Sequence, residues 1–129
     1  MKAFGIRGLV AASAIALASL AFGAAAQAAP LETYVARLSV QDHYNSNGVR
    51  LTTAAGIIRQ DRANFYEFGL RDREDTADGF FASKANRAIL EDMLLHGTIS
   101  RAANDEIVNG TPLIVVHVYA HYIDVDIYR

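Results

Sequence analysis

The chain has 129 residues, of which 52% are hydrophobic, with 12 Lys and Arg against 14 Asp and Glu and no Cys. A cysteine-free chain has no disulfide, no thiolate-ligated zinc, no cysteine nucleophile and no lipobox anchor. An acidic balance also argues against nucleic acid as a partner, because phosphate backbones are held by basic stripes.

Residues 1–28 read as a cleavable secretory signal. Lys2 and Arg7 supply the positive start, Leu9 to Phe22 the apolar middle, and Ala26-Gln27-Ala28 the small-residue cleavage site. The apolar run is shorter than the ~20 residues of a spanning helix, so no membrane anchor is expected after cleavage. The alanine-rich style is of the bacterial kind, which puts the expected location in the periplasm or the medium. Cleavage after Ala28 leaves ten basic and 14 acidic side chains, a net charge of −4. Residues 29–129 then form one small domain, without disulfides to support its core.

Glu32 to Tyr44 reads as a strand, because Tyr34, Ala36, Leu38 and Val40 alternate with polar residues. Asn45-Ser46-Asn47-Gly48 ends it as a turn. Leu51 to Phe68 reads as a helix with one apolar stripe through Leu51, Ala54, Ala55, Ile58, Phe65 and Phe68. Asn47 or Thr52 is placed as its cap and Gly69 as its stop. Arg71 to Gly79 reads as a charged, solvated connection. Phe80 to His96 reads as a second helix, capped by Asp78, striped by Phe81, Ala85, Ala88, Ile89 and Met93, and stopped by Gly97.

The remainder reads as strand-rich. Leu113 to Tyr128 carries the strongest strand signal, with Leu113 to Val118 apolar on both faces as in a central strand. Asn109-Gly110 is read as a hairpin turn pairing Asp105–Val108 with Thr111–Ile114, in preference to a helix over 101–108 capped by Ser100. Pro112 favours an edge position. The order strand-helix-helix-strand-strand defines an α+β domain, with two helices packed on one face of a small, mainly antiparallel sheet.

Three groups of residues bear on chemistry. His43, His117 and His121, with Asp42, are the candidate zinc or copper ligands, or a base and its orienter, if the first strand pairs with the last. His117 and His121 alone lie too far apart on one strand to share a metal. Arg59 and Arg62 are the candidate contacts of a small anionic ligand in a pocket between helices and sheet. Asp72, Glu74, Asp75 and Asp78 do not fit a calcium loop, since Gly79 falls at the wrong offset and Arg71 and Arg73 intervene. No serine lies in a nucleophile motif, and no phosphate-cradling glycine loop or His-Glu-x-x-His pair follows the signal. The expectation is an exported binding or interaction protein without catalysis or a required cofactor, with another envelope protein or a homodimer mate as partner. Metal-binding or hydrolytic chemistry at the histidines and an anionic-ligand pocket are the alternatives.

Overall fold

A computed structural model describes residues 28–129. Apart from Ala28, the expected signal peptide lies outside the described residues. The elements are β1 (Glu32–Arg37), a 3-10 turn (Val40–His43), α1 (Ala54–Ala63) continued by a π turn (Asn64–Phe68), α2 (Lys84–Ala88), α3 (Leu90–His96), β2 (Thr98–Ile99), α4 (Arg101–Asn109), β3 (Leu113–Val118) and β4 (Ile123–Ile127). The sheet order is β1-β3-β4-β2, antiparallel except for the short parallel β2–β4 pair. The fold is α+β, as the sequence implies, with four helices among the described residues where the sequence reading has two.

Alternation decides what faces inward. Tyr34, Ala36 and Leu38 of the first strand and its extension, Ile114, Val116 and Val118 of β3, and Ile123 and Val125 of β4 all turn to the helices. They meet Ile57 and Ile58 of α1, Leu90 and Met93 of α3, Ile107 of α4, and Phe81. Each fully buried aliphatic side chain contributes about 1.5–3 kcal/mol relative to exposure. No helix among the described residues is long and apolar enough to cross a membrane.

The first strand ends seven residues sooner than its alternation suggests. The Asp42 carboxylate reaches back to the Ser39 N–H (2.9 Å), and this short-range bond turns the chain into the 3-10 turn. The free edge of β1 is not left open to solvent. Val35 N–H donates to the Thr76 hydroxyl (2.8 Å), Thr76 N–H to the Val35 carbonyl (2.9 Å), and Arg37 N–H to the Asp75 carboxylate (2.8 Å). Glu32 accepts the N–H groups of Gly79 and Phe80. The charged connection thus covers a sheet edge, the position at which strands are prone to mispair.

The α1 cap is Thr53, whose hydroxyl accepts the Gly56 N–H (3.1 Å), rather than Asn47 or Thr52. Gly69 ends the π turn in the left-handed region at φ 65°, the expected stop. The expected helix over 80–96 is instead two short ones. Asp78 does accept the Phe81 N–H (2.6 Å), but the chain only becomes helical after Ser83, which caps α2, and it breaks again at Ile89. The break shifts the helical phase, so Ile89 lies exposed while Leu90 and Met93 fill the core.

Residues 101–109 form α4, and the hairpin reading is overturned. Ser100 caps the helix by accepting the Ala103 N–H (3.0 Å), and Ala103 and Ile107, four apart, bury one face. A two-residue hairpin of the primed type needs positive φ at its central residues, and Gly110 is extended at φ −142°. The Leu113–Tyr128 segment is likewise not one long strand. Tyr119 N–H bonds the Tyr122 carbonyl (2.9 Å) and their rings stack with centroids 4.4 Å apart, folding β4 back on β3. β3 is then the central strand that its two apolar faces suggest. Pro112 lies just before it, and its carbonyl accepts the Leu38 N–H (3.0 Å).

Gly97 sits where α3 hands over to β2, and a Cβ there would run into the main-chain carbonyl of Ile123. Because the obstruction is backbone, no rotamer change relieves it. Replacing Gly97 with Ala is expected to destabilise the domain by about 3 kcal/mol through overpacking, read as a lowered urea midpoint with unchanged slope.

Candidate functional site

The two arginines singled out by the sequence lie three residues apart on α1, one inside its buried stripe and one outside it. At 3.6 residues per turn, Arg62 follows Ile58 by about one turn and shares its buried stripe, whereas Arg59 is rotated about 100° away. Arg62 is fully buried. Its Nε donates to the Asp61 carboxylate (2.8 Å), and its Nη1 to the Asp78 carboxylate and the Thr76 carbonyl (both 3.0 Å). The guanidinium carbon lies 4.1 Å from the centroid of the Tyr34 ring and 4.6 Å from that of Phe65. The Tyr66 hydroxyl accepts the Asp78 N–H (2.6 Å). Arg62 therefore holds α1 to the segment covering β1, and it does not reach a ligand cavity.

Arg59 is exposed and lines a cleft of about 310 Å³ between α1 and α2. Lys84 and Arg87 line it from α2, Glu67 from the π turn, and Asn45 and Ser46 from the loop after the 3-10 turn. Arg87 is buried and committed: Nη1 donates to the Phe81 and Ala82 carbonyls (2.8 and 3.0 Å), and Nη2 to Glu67 (2.5 Å). Among the described residues, Arg59 and Lys84 have no ion-pair partner. After the Arg87–Glu67 pair is set aside, the cleft keeps two positive charges. Lys84 and Arg87 are missed by a sequence reading that starts the second helix at Phe80. Their spacing of three on a helix face was the available signal.

The wall carrying Asn45 is fixed by its own turn. The Asn45 side-chain oxygen accepts the N–H groups of Asn47 and Val49 (both 2.9 Å), and its main-chain N–H donates to the Val49 carbonyl. Gly48, at φ 74°, makes that reversal possible. On the helix side, Gln60 donates to Asn64 (2.9 Å), and Asn64 donates to the buried Asp42 (2.9 Å).

The histidines occupy three separate places. His43 is buried beneath the end of α4, with Nδ1 2.8 Å from the Ser39 carbonyl and Nε2 2.8 Å from the Ile107 carbonyl. Both ring nitrogens thus face main-chain oxygens. His117 stands on the open face of the sheet, paired with Thr33, whose hydroxyl lies 3.1 Å from its Nδ1, and with Asp124. His121 is exposed in the β3–β4 turn. The premise that would bring them together fails, because β1 ends before His43 and its register runs Glu32–Val118 to Arg37–Leu113. Among the described residues no group of three or more His, Asp and Glu side chains is placed to hold a metal ion. The acidic run is also occupied: Asp75 accepts the N–H groups of Arg37 and Asp72, Glu74 pairs with Arg37, and Asp78 with Arg62.

Comparison with protein-family models, with curated proteins and with solved structures yields no match. What the molecule itself defines is a small α+β domain with a cationic cleft on its helical side.

Burial sets the protonation of the Arg62 cluster. It pushes the Asp61 carboxyl up from its ordinary 3.8 to about 8, against the opposing pull of the adjacent Arg62 charge. Burial raises Asp42 and Asp75 in the same direction. A carboxyl whose native pKa exceeds its unfolded value holds an extra proton in the native state between the two. Stability is therefore expected to fall as pH rises from about 4 to about 8, with no further contribution from Asp61 above that window. Urea melts at pH 5 and pH 8 check this; Asp61→Asn removes the titration and is expected to flatten the difference. Equal pH dependence in both proteins would refute the assignment to Asp61.

Proposed function

We propose that the protein is an exported, non-catalytic binding protein that takes a small anion in the cleft between α1 and α2. The observation that carries the reading is the pair Arg59 and Lys84, both lining one cleft of about 310 Å³ and both without a carboxylate partner, beside the neutralised Arg87–Glu67 pair. Two uncompensated cations attract a negatively charged group, and the amides of Asn45 and Gln60 supply neutral hydrogen-bonding capacity at the rim. Arg87 contributes by position: its bonds to Phe81 and Ala82 tie α2 to the segment before it, and its bond to Glu67 ties α2 to the π turn. Export follows from the reading of Lys2 to Ala28 as a cleaved signal, which predicts a secreted or periplasmic product beginning at Ala29.

Inorganic phosphate is the simplest probe. Calorimetry or amide-shift titration is expected to show saturable binding whose chemical shifts map to residues 56–67 and 84–87. Arg59→Ala and Lys84→Ala are each expected to weaken it about tenfold or more, since a charge-assisted hydrogen bond contributes about 1.5–3 kcal/mol. Both side chains are exposed, so melting curves should stay within about 0.5 kcal/mol of the wild type. Binding that is unaffected in the double variant would sink the proposal. Intact mass of the exported chain tests the other half; a product retaining residues 1–28 contradicts export by signal cleavage.

A further inference from the structure

The cationic cleft does not end at its own walls. A second groove, of about 440 Å³, opens on the other side of Gln60 and Phe68, and the two share Asn45, Ser46, Gln60 and Phe68 as lining residues. The groove has a different character. Tyr44, Phe68 and Leu70 present apolar surface there, and no Lys, Arg, Asp or Glu lines it. A charged end and an apolar end therefore adjoin across one polar rim.

The apolar end is a consequence of backbone geometry. In an unbroken α-helix Phe68 would continue the stripe of Ile58 and Phe65 into the core. The π turn over Asn64–Phe68 widens the last turn instead, Leu70 N–H closes it on the Asn64 carbonyl (2.9 Å), and Phe68 is left 52% exposed. Leu70 follows the left-handed Gly69 and is 46% exposed. Tyr44 completes the patch opposite, with Arg50 5.8 Å from its ring centroid. Large apolar side chains brought together at a concave surface are the usual lining of a ligand site, and π turns recur at such sites.

Resting on the anion-binding reading above, we infer that the ligand class is an amphipathic phosphate monoester, its dianionic head between Arg59 and Lys84 and its apolar arm against Phe68, Leu70 and Tyr44. The head assignment follows from charge: two unpaired cations match a group carrying about −1.5 to −2 at neutral pH. The arm assignment follows from the shared rim, which leaves no protein wall of opposite character between the two halves. Phe68 is the pivot, since it lines both.

The test compares inorganic phosphate, phenyl phosphate and phenol by calorimetry at pH 8, where both phosphates carry close to two charges. The expected result is phenyl phosphate bound at least about tenfold tighter than inorganic phosphate, with phenol alone weaker than either. Phe68→Ala and Leu70→Ala are each expected to remove most of that advantage, and Leu70→Ala to leave inorganic phosphate binding unchanged. Because Leu70 touches only the groove, it keeps the test meaningful if Phe68→Ala alters the π turn. Equal affinity for the two phosphates, or an advantage that survives both substitutions, overturns the inference while the anion site stands. No binding of either phosphate overturns the anion site itself, and the arm falls with it.

Discussion

The burial of Arg62 is the constraint on which the rest of the architecture depends. A guanidinium inside a core is costly unless acceptors and opposing charge are brought to it. Here the acceptors come from two directions in sequence: Asp61 beside it on α1, and Thr76 with Asp78 from the segment after the π turn. Pairing its Nε and Nη1 donors thus fixes how α1 lies against residues 76–78, while Nη2 stays buried without a partner. Those same residues cover the free edge of β1, since Thr76 bonds Val35 in both directions. Helix, edge cover and sheet are tied together at a single cation. The aromatic faces of Tyr34 and Phe65 then pack against it from the strand and the helix.

That arrangement explains why the charged connection is ordered in composition that reads as solvated. Of its acids only Glu74 is exposed; Asp72, Asp75 and Asp78 are partly or fully buried. Asp75 and Glu32 accept backbone N–H groups at the two ends of the edge, Asp72 and Asp75 close a turn between themselves, and Asp78 serves Arg62 and the Phe81 N–H together. Asp75 and Asp78 are thus engaged by main-chain and arginine donors, which adds to the offset of Gly79 as a reason against a calcium loop. A long free edge is also what pairing between two copies would need. With β1 covered and β2 only two residues long, the sheet presents no long free edge among the described residues.

What was legible in the sequence was the part governed by short-range periodicity. The inward set of β1, the central position of Leu113–Val118, the stop at Gly69 and the α+β class all follow from alternation, β-branching and glycine conformation. What was not legible depends on contacts far along the chain. Ser39 and Asp42 end the first strand by a local bond that competes with the alternation extending through Val40, and the sequence offers both signals at once. Asn109-Gly110 is a hairpin signal whose helical rival needs only Ser100 and the Ala103–Ile107 pair, and burial of Ile107 against the sheet decides it. The histidines could be compared only by spacing, and spacing says nothing once β1 ends before His43. Arg59 and Arg62 were indistinguishable as residue types; only the helical phase, fixed by Ile57 and Ile58 in the core, separates a structural cation from an accessible one.

The same phase argument accounts for why the cleft lies where it does. Once Ile58 and Arg62 define the buried stripe of α1, the residues rotated outward from it, Arg59, Gln60 and Ala63, must border whatever packs next to the helix. α2 is the neighbour, and it is short because the chain is still committed to Asp78 and the Phe81 N–H before Ser83 can start a helix. The cleft opens between this five-residue helix and the outward residues of α1. Arg87 then props the gap by bonding the turn that precedes it, with Glu67 neutralising that one charge and leaving Arg59 and Lys84 unanswered. Two local departures from regular helix border the cleft, the late start of α2 at Ser83 and the π turn that ends at Phe68.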